Sequence, residues 1–196
     1  MRDIVREKLI RKVEDRTILD DFAEDFAKIV EKYCKYIIVS GFVAISHGRA
    51  RGTDDIDMII ERISMGQFAE LHKELVSSGF ECIQSENPKI LFDDYLDTQV
   101  SIRYRRIGEF LPEMELKFSK DSLDEHQIAT RKKFPLTGTN LYFSSIESNI
   151  AFKEELLKSP KDLDDAKHLR IAYKNELDED EIKNIKKEIR RLRNPK

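Results

Sequence analysis

The chain has 196 residues, 40% hydrophobic and 37% charged, and carries 35 Lys and Arg against 38 Asp and Glu for a formal net charge of −3. That length suits one domain, or one domain with a helical appendage, and the apolar content can fill a core. The near balance of charge excludes a global attraction to nucleic acid, so any polyanion site must be local.

From the N-terminus, residues 2–15 read as a charged helix with Ile4, Leu9, Ile10 and Val13 as a thin apolar stripe. MRDIVREKLIRKVEDR has no continuous apolar run, so no signal peptide is read there, and no stretch is apolar for long enough to span a bilayer. Phe22, Phe26, Ile29, Val30 and Tyr33 then recur at helical spacing, which predicts an amphipathic helix beneath a following strand. Cys34 and Cys82 show neither metal spacing nor a disulfide framework, which suits a reducing cytoplasm.

Tyr36 to Val39 reads as a buried strand, Gly41 as the turn after it, and Phe42 to Ser46 as a short helix that Gly48 can close. Arg49, Arg51 and Thr53 fall in the next loop, and Asp55 to Ile60 forms a second strand. Side chains alternate along a strand, so Asp55 and Asp57 share one face and Ile56 and Met58 the other. Two like charges this close raise each other's pKa, a conflict relieved by a hard divalent cation or by solvation at a strand end.

A glycine between strand and helix lets backbone N–H groups approach a phosphate at a helix N-terminus. The whole pattern resembles the nucleotidyltransferase superfamily related to DNA polymerase β, with Ser40-Gly41-Phe42 as the glycine element and Asp55-Ile56-Asp57 as the carboxylate pair. Phe42 departs from the family's usual Ser or Gly, which removes a hydroxyl contact to the triphosphate but leaves the backbone amides.

Further on, Ser64 and Gln67 form a capping box for a helix with Phe68, Leu71 and Leu75 buried, His72 on its exposed flank and Gly79 at its end. Phe80 to Ile83 and Lys89 to Phe92 read as short strands. Val100 to Tyr104 and Met114 to Phe118 alternate as a hairpin with a long loop. The resembling family needs a third carboxylate on a strand beside the Asp pair. Glu115, between Met114 and Leu116, has that form; the competing reading pairs it with Lys117 or Arg103 on a solvated face. Residues 121–133 read as a helix or a loop with one turn of helix, and Leu136 to Phe143 as a strand pair around Gly138.

The rest is helical. Ser144 with Glu147 reads as a capping box for a helix through Leu157, Ser159 and Pro160 start the next, and Asp178 caps a third with Ile182, Ile185, Ile189 and Leu192 in one stripe. The segment LYFSSIESNIAFKEELLKSPKDLDDAKHL resembles minimal nucleotidyltransferases that include toxins of the AbiEii type. Glu147, Lys153, Lys161, Asp162 and Asp165 stand at the matching positions. Lys153 either balances triphosphate charge or is a solvated helix lysine.

These readings predict an α/β fold: a small mixed sheet with helices packed on it and a C-terminal helical region. The expected division is N-terminal helices over 1–35, a nucleotidyltransferase core over 36–143 and the helical region over 144–196. The resemblance implies a cytoplasmic, toxin–antitoxin-like transferase with Mg²⁺ or Mn²⁺ on Asp55, Asp57 and Glu115. An NTP, ATP among the candidates, would lie on Gly41, Phe42, Arg49, Arg51, Thr53 and Lys153. RNA (tRNA included), a protein or a small molecule is compatible as acceptor, a homodimer is compatible, and no membrane partner is expected. The competing class is a catalytically inactive scaffold acting as a nucleotide- or RNA-binding or regulatory module. The basic run from Lys183 to Lys196 raises a nucleic-acid module as a third reading, or a solvated helix end.

Overall fold

The computed structural model describes residues 16–193; the helix expected over 2–15 lies outside the described residues. The elements, in chain order, are α1 (Ile18–Val30), β1 (Tyr36–Val39), α2 (Gly41–Ser46), β2 (Asp55–Ile60), α3 (Met65–Ser77) and β3 (Phe80–Cys82). Next come α4 (Pro88–Ile90), which continues as a wider π-helical stretch (Leu91–Leu96), then β4 (Ile102–Arg106), β5 (Glu113–Phe118), α5 (Ser122–Ala129), β6 (Lys132–Lys133) and β7 (Tyr142–Phe143). The chain ends in α6 (Ile146–Phe152), which runs into a π-helical turn (Lys153–Leu157), α7 (Pro160–Ala172) and α8 (Glu179–Arg193).

The seven strands form one mixed sheet in the order β3-β4-β5-β2-β1-β7-β6. The antiparallel β1–β2 and β4–β5 pairs meet where β2 runs parallel to β5. Period-two alternation assigns each face its role. Ile38, Ile56, Met58, Met114, Leu116 and Tyr104 point to the side covered by Phe22, Phe26 and Val30 of α1 and Phe68, Leu71 and Leu75 of α3. The other face carries the charged residues of β2, β4 and β5, and there Ile128 of α5 packs on Ile37 and Ile59.

The C-terminal helices bury a second apolar cluster of Ile146, Ile150, Leu169, Tyr173, Ile182, Ile185 and Ile189. Leu192, expected in that stripe, is 39% exposed, because the helix has run past its neighbours.

Four local expectations need correction. Lys89 to Phe92 is helical, begun by Asn87, whose side chain accepts from Lys89 N, and by Pro88 at the first turn. Leu136 to Phe143 holds a 3₁₀ turn, with Gly138 in the left-handed region, before the two-residue β7. Helix α6 is capped by Ser145 accepting from Ser148 N, and Glu147 instead accepts from the backbone of Asp178. His72 is buried, with Nδ1 2.7 Å from the Tyr104 hydroxyl and Nε2 3.1 Å from the Glu86 carbonyl, because its helix is covered on that side.

Candidate active site

Register alone gathers the carboxylates. In the β2–β5 ladder Asp55 faces Glu113 and Asp57 faces Glu115, so four acidic side chains share one face of two adjacent strands. Thr53 donates to Asp55 Oδ1 at 2.9 Å and orients it. The Ser40 hydroxyl donates to Asp57. Burial pushes the Asp57 carboxyl above the usual range, and the charges of Glu115 and Asp55 add to the shift.

Glu115 goes the other way. Burial would raise it, but hydrogen bonds from Arg103 and Ser101 hold it below the ordinary glutamate range. Arg103 Nη2 lies 2.9 Å from Glu115 Oε2, and its Nε 3.8 Å from Glu113. Glu115 is therefore both aligned with Asp57 and paired with Arg103, the two alternatives read from the sequence. Among the described residues no three Asp, Glu, His or Cys groups are drawn together tightly enough to hold a metal by themselves. The aspartate pair still fits a hard cation, since Mg²⁺ is commonly bound by one or two carboxylates together with substrate phosphates.

The turn between β1 and α2 differs from expectation in an informative way. The left-handed residue is Ser40, with φ 65° and ψ −135°, whereas Gly41 opens the helix. Strain at a non-glycine residue costs on the order of 1–3 kcal/mol and has to be held by its surroundings; here it directs the Ser40 hydroxyl at Asp57. Gly41 matters for another reason: a Cβ there would stand 2.9 Å from Arg51 Nη2 and displace the guanidinium. The space above Gly41 belongs to the Arg51 guanidinium, so an anion approaching this turn meets Arg51 first.

Arg51 is held there from the far end of the sequence. Its Nη1 lies 2.7 Å from Oδ2 of Asp165 in α7, Lys153 Nζ lies 2.9 Å from the same oxygen, and Arg49 pairs with the other oxygen. Lys153 also lies 3.6 Å from Asp162, and Arg49 donates to the Lys161 carbonyl at 2.9 Å. Asp165 is fully buried and Lys153 is 1% exposed, so the reading of Lys153 as a solvated helix lysine is overturned. The π-helical turn beginning at Lys153 widens the helix there, a deviation common at functional sites. Burial lowers the Lys153 pKa to about 8, assisted by Arg51 and Arg49 and opposed by Asp162.

Phe42 does not reach this site with its side chain. It is wholly buried in the main core, which leaves only its backbone there. The basic run of α8 is also largely spoken for: Lys186 pairs with Glu154, Arg190 with Glu155, Arg191 with Glu188 and Lys183 with Asp180. The sequence reading places Ser40 in the glycine element but misses its contact with Asp57, Asp165 as an anchor, and a cleft of about 210 Å³ beside Asp57, lined also by Asp124, Gln127, Asn149, Phe152 and Lys153. No periodicity points to such a cleft, because its walls come from distant segments.

No family model matches the chain, and no curated protein matches it. Among solved structures, the crystal structure of ANT(2")-Ia in complex with adenylyl-2"-tobramycin aligns at a TM-score of 0.50 and 15% identity, covering 91% of this chain and 100% of that one. The chain has the nucleotidyltransferase fold. The solution structure of ANT(2'')-Ia (TM-score 0.48, 15% identity, 89% of this chain and 94% of that one) also aligns. So does an antigenic nucleotidyltransferase-like protein from Paracoccidioides brasiliensis (TM-score 0.49, 16% identity, 88% and 87%). No helix among the described residues is long and apolar enough to cross a membrane.

Proposed function

We propose that the protein transfers a nucleoside monophosphate from an NTP to an acceptor hydroxyl and releases pyrophosphate. The observation that carries this reading is the in-register placement of Asp57 and Glu115, with Asp55, on an open sheet face beside the Ser40–Gly41 turn and its cations. Asp55 and Asp57 would hold Mg²⁺ or Mn²⁺, with Glu115 as third carboxylate. When bound, such an ion polarises phosphate oxygens and stabilises the attacking and leaving oxygens.

The chain's own residues supply the rest of the chemistry. Arg51, Arg49 and Lys153 neutralise the triphosphate and the charge that grows on the leaving pyrophosphate. The amides at the start of α2 and the Ser40 hydroxyl line the approach of the phosphates. The acceptor oxygen forms its bond to the α-phosphorus, the bond from α-phosphorus to the bridging oxygen breaks, and the acceptor proton passes to Glu115. Glu115 must leave Arg103 to do this. In this reading the AbiEii-type resemblance is carried by Lys153, Asp162 and Asp165, which the fold brings to Arg49 and Arg51.

The Arg103–Glu115 pair favours one second reading, a nucleotide-binding scaffold without catalysis. Incubation with Mg²⁺ and each α-labelled NTP, with and without total RNA, separates the two. Label in a new covalent product supports the transferase. Saturable NTP binding with no product under any acceptor supports the scaffold.

A further inference from the structure

The cleft beside Asp57 has a composition that the phosphate and metal chemistry does not use. Ser40, Asp57 and Lys153, the groups already placed around the phosphates, are part of its lining. Val39 and Ile59 of the sheet and Phe152 and Leu156, on the helix that carries Lys153, line it as well. Phe152 and Leu156 are half-buried and Leu157 is 47% exposed, so this wall presents apolar surface to the cleft.

A second wall comes from α5. Asp124 is 2% exposed, yet no lysine or arginine nitrogen lies within ion-pairing distance of it among the described residues. Its Oδ2 accepts from Lys120 N at 3.1 Å, and its Oδ1 has only a long contact of 3.5 Å from Gln127 Nε2. A carboxylate accepts about four hydrogen bonds. Burial raises the Asp124 pKa, with the nearby Asp121 adding to it. A buried anion of this kind on a cavity wall rewards a ligand that brings O–H or N–H donors and penalises one that brings only acceptors.

We propose that this cleft holds the nucleoside half of the nucleotide, with the base against Phe152 and Leu156 and the ribose hydroxyls donating to Asp124, so that the site selects ribonucleotides over deoxyribonucleotides. The inference rests on the nucleotidyl-transfer reading, which places the phosphates beside Asp57 and Lys153. An apolar wall with an aromatic ring suits the face of any base, because stacking is tolerant of base identity. The vicinal hydroxyls of ribose are the donors nearest the phosphates. Lys117 and Lys120 also line the cleft, and their charges offset part of the rise that burial gives Asp124.

Calorimetric titration with Mg²⁺ and four probes tests this: tripolyphosphate, an NTP, the matching 2′-deoxy-NTP and the matching 2′,3′-dideoxy-NTP. The expected order is NTP tightest, with a preference of about tenfold or more over the dideoxy form, the scale of hydrogen bonds to a charged group. Asp124→Asn should shrink that preference while leaving tripolyphosphate affinity unchanged, and Phe152→Ser should weaken all three nucleotides but not tripolyphosphate. Thermal melts of both variants report whether the fold survives, and the wild-type preference needs no variant. Wild type binding NTP no better than tripolyphosphate, or all three nucleotides equally, overturns the subsite and leaves the transfer reading standing. Wild type binding neither tripolyphosphate nor any nucleotide overturns both.

Discussion

Lys153 Nζ lies 2.9 Å from Asp165 Oδ2, and neither side chain is more than 1% exposed. The carboxylate is shared with Arg49 and Arg51, so one buried anion gathers three cations from two distant segments. Its removal strands buried positive charge. Asp165→Ala is expected to cost about 3–5 kcal/mol in chemical denaturation, the range for breaking a buried ion pair from one side. Arg51→Ala should cost less, since two cations still pair with Asp165. Equal and small losses for both would show that the cluster is hydrated.

Lys153 also gives the site a pH limit. Burial lowers its pKa from 10.5 to about 8, so it loses its charge as pH rises through about 8. Nucleotide affinity should fall across that window, and Lys153→Arg should carry binding to higher pH. The effect on stability has the opposite sign. Between about 8 and 10.5 the unfolded chain holds the lysine proton that the folded chain has released, so this group makes unfolding less favourable as pH rises. Affinity measured from pH 6.5 to 9.5 is the check; a flat profile in wild type removes Lys153 from the phosphate site.

Asp57 has a raised pKa through burial and the charges of Glu115 and Asp55. Its contribution to stability is therefore greatest below the unfolded value of 3.8 and is lost as pH rises through the higher folded value. At neutral pH the ionised group is a cost to the metal-free fold. Asp57→Asn should raise the melting temperature of metal-free protein and abolish the additional rise that Mg²⁺ with NTP gives wild type. A less stable variant would mean that the Ser40 hydrogen bond outweighs the repulsion.

Arg103 pairs with Glu115 and so competes with any cation for its carboxylate. The pair is largely exposed on the arginine side, at 46%, so Arg103→Met should change stability by less than about 1 kcal/mol. The Glu115 pKa should rise, because the hydrogen bond that lowers it is gone, and Mg²⁺-dependent NTP binding should tighten. Unchanged metal affinity in Arg103→Met would show that the ion does not call on Glu115.

Phe42 tests whether sequence similarity can mislead at a single position. Its side chain lies in the main core, so Phe42→Ser is expected to cost roughly 3 kcal/mol or more and to gain no nucleotide affinity. Retained stability with tighter binding would place the ring at the phosphates instead.

The strands at the site were legible because they alternate: β1 and β2 fall at the residues that the pattern predicts, and Glu115 stands out as an acid between apolar neighbours. What periodicity could not supply was partnership. Alternation leaves Lys117 and Arg103 both open as partners of Glu115, and only the β4–β5 register, which sets Arg103 opposite it, decides between them. Nothing near Gly41 foretells that Arg51 would occupy the space over it. His72 was misplaced because a polar residue on a helix reads as exposed until a tyrosine from β4 arrives to satisfy it. Lys89 to Phe92 was misread because a short apolar run has no period of its own, and the Asn-Pro start of the helix decided the matter.

The central claim is that this sheet face moves a nucleoside monophosphate, with Glu115 taking the acceptor proton. The most direct measurement is a single-turnover reaction with the same NTP labelled at the α or at the γ phosphate, in wild type and Glu115→Gln, once an acceptor is in hand. The account predicts α label in the acceptor, γ label in pyrophosphate, and a loss of about 10²-fold or more in rate for the variant with NTP binding largely kept. Transfer of γ label to the acceptor, or full activity in Glu115→Gln, would contradict it.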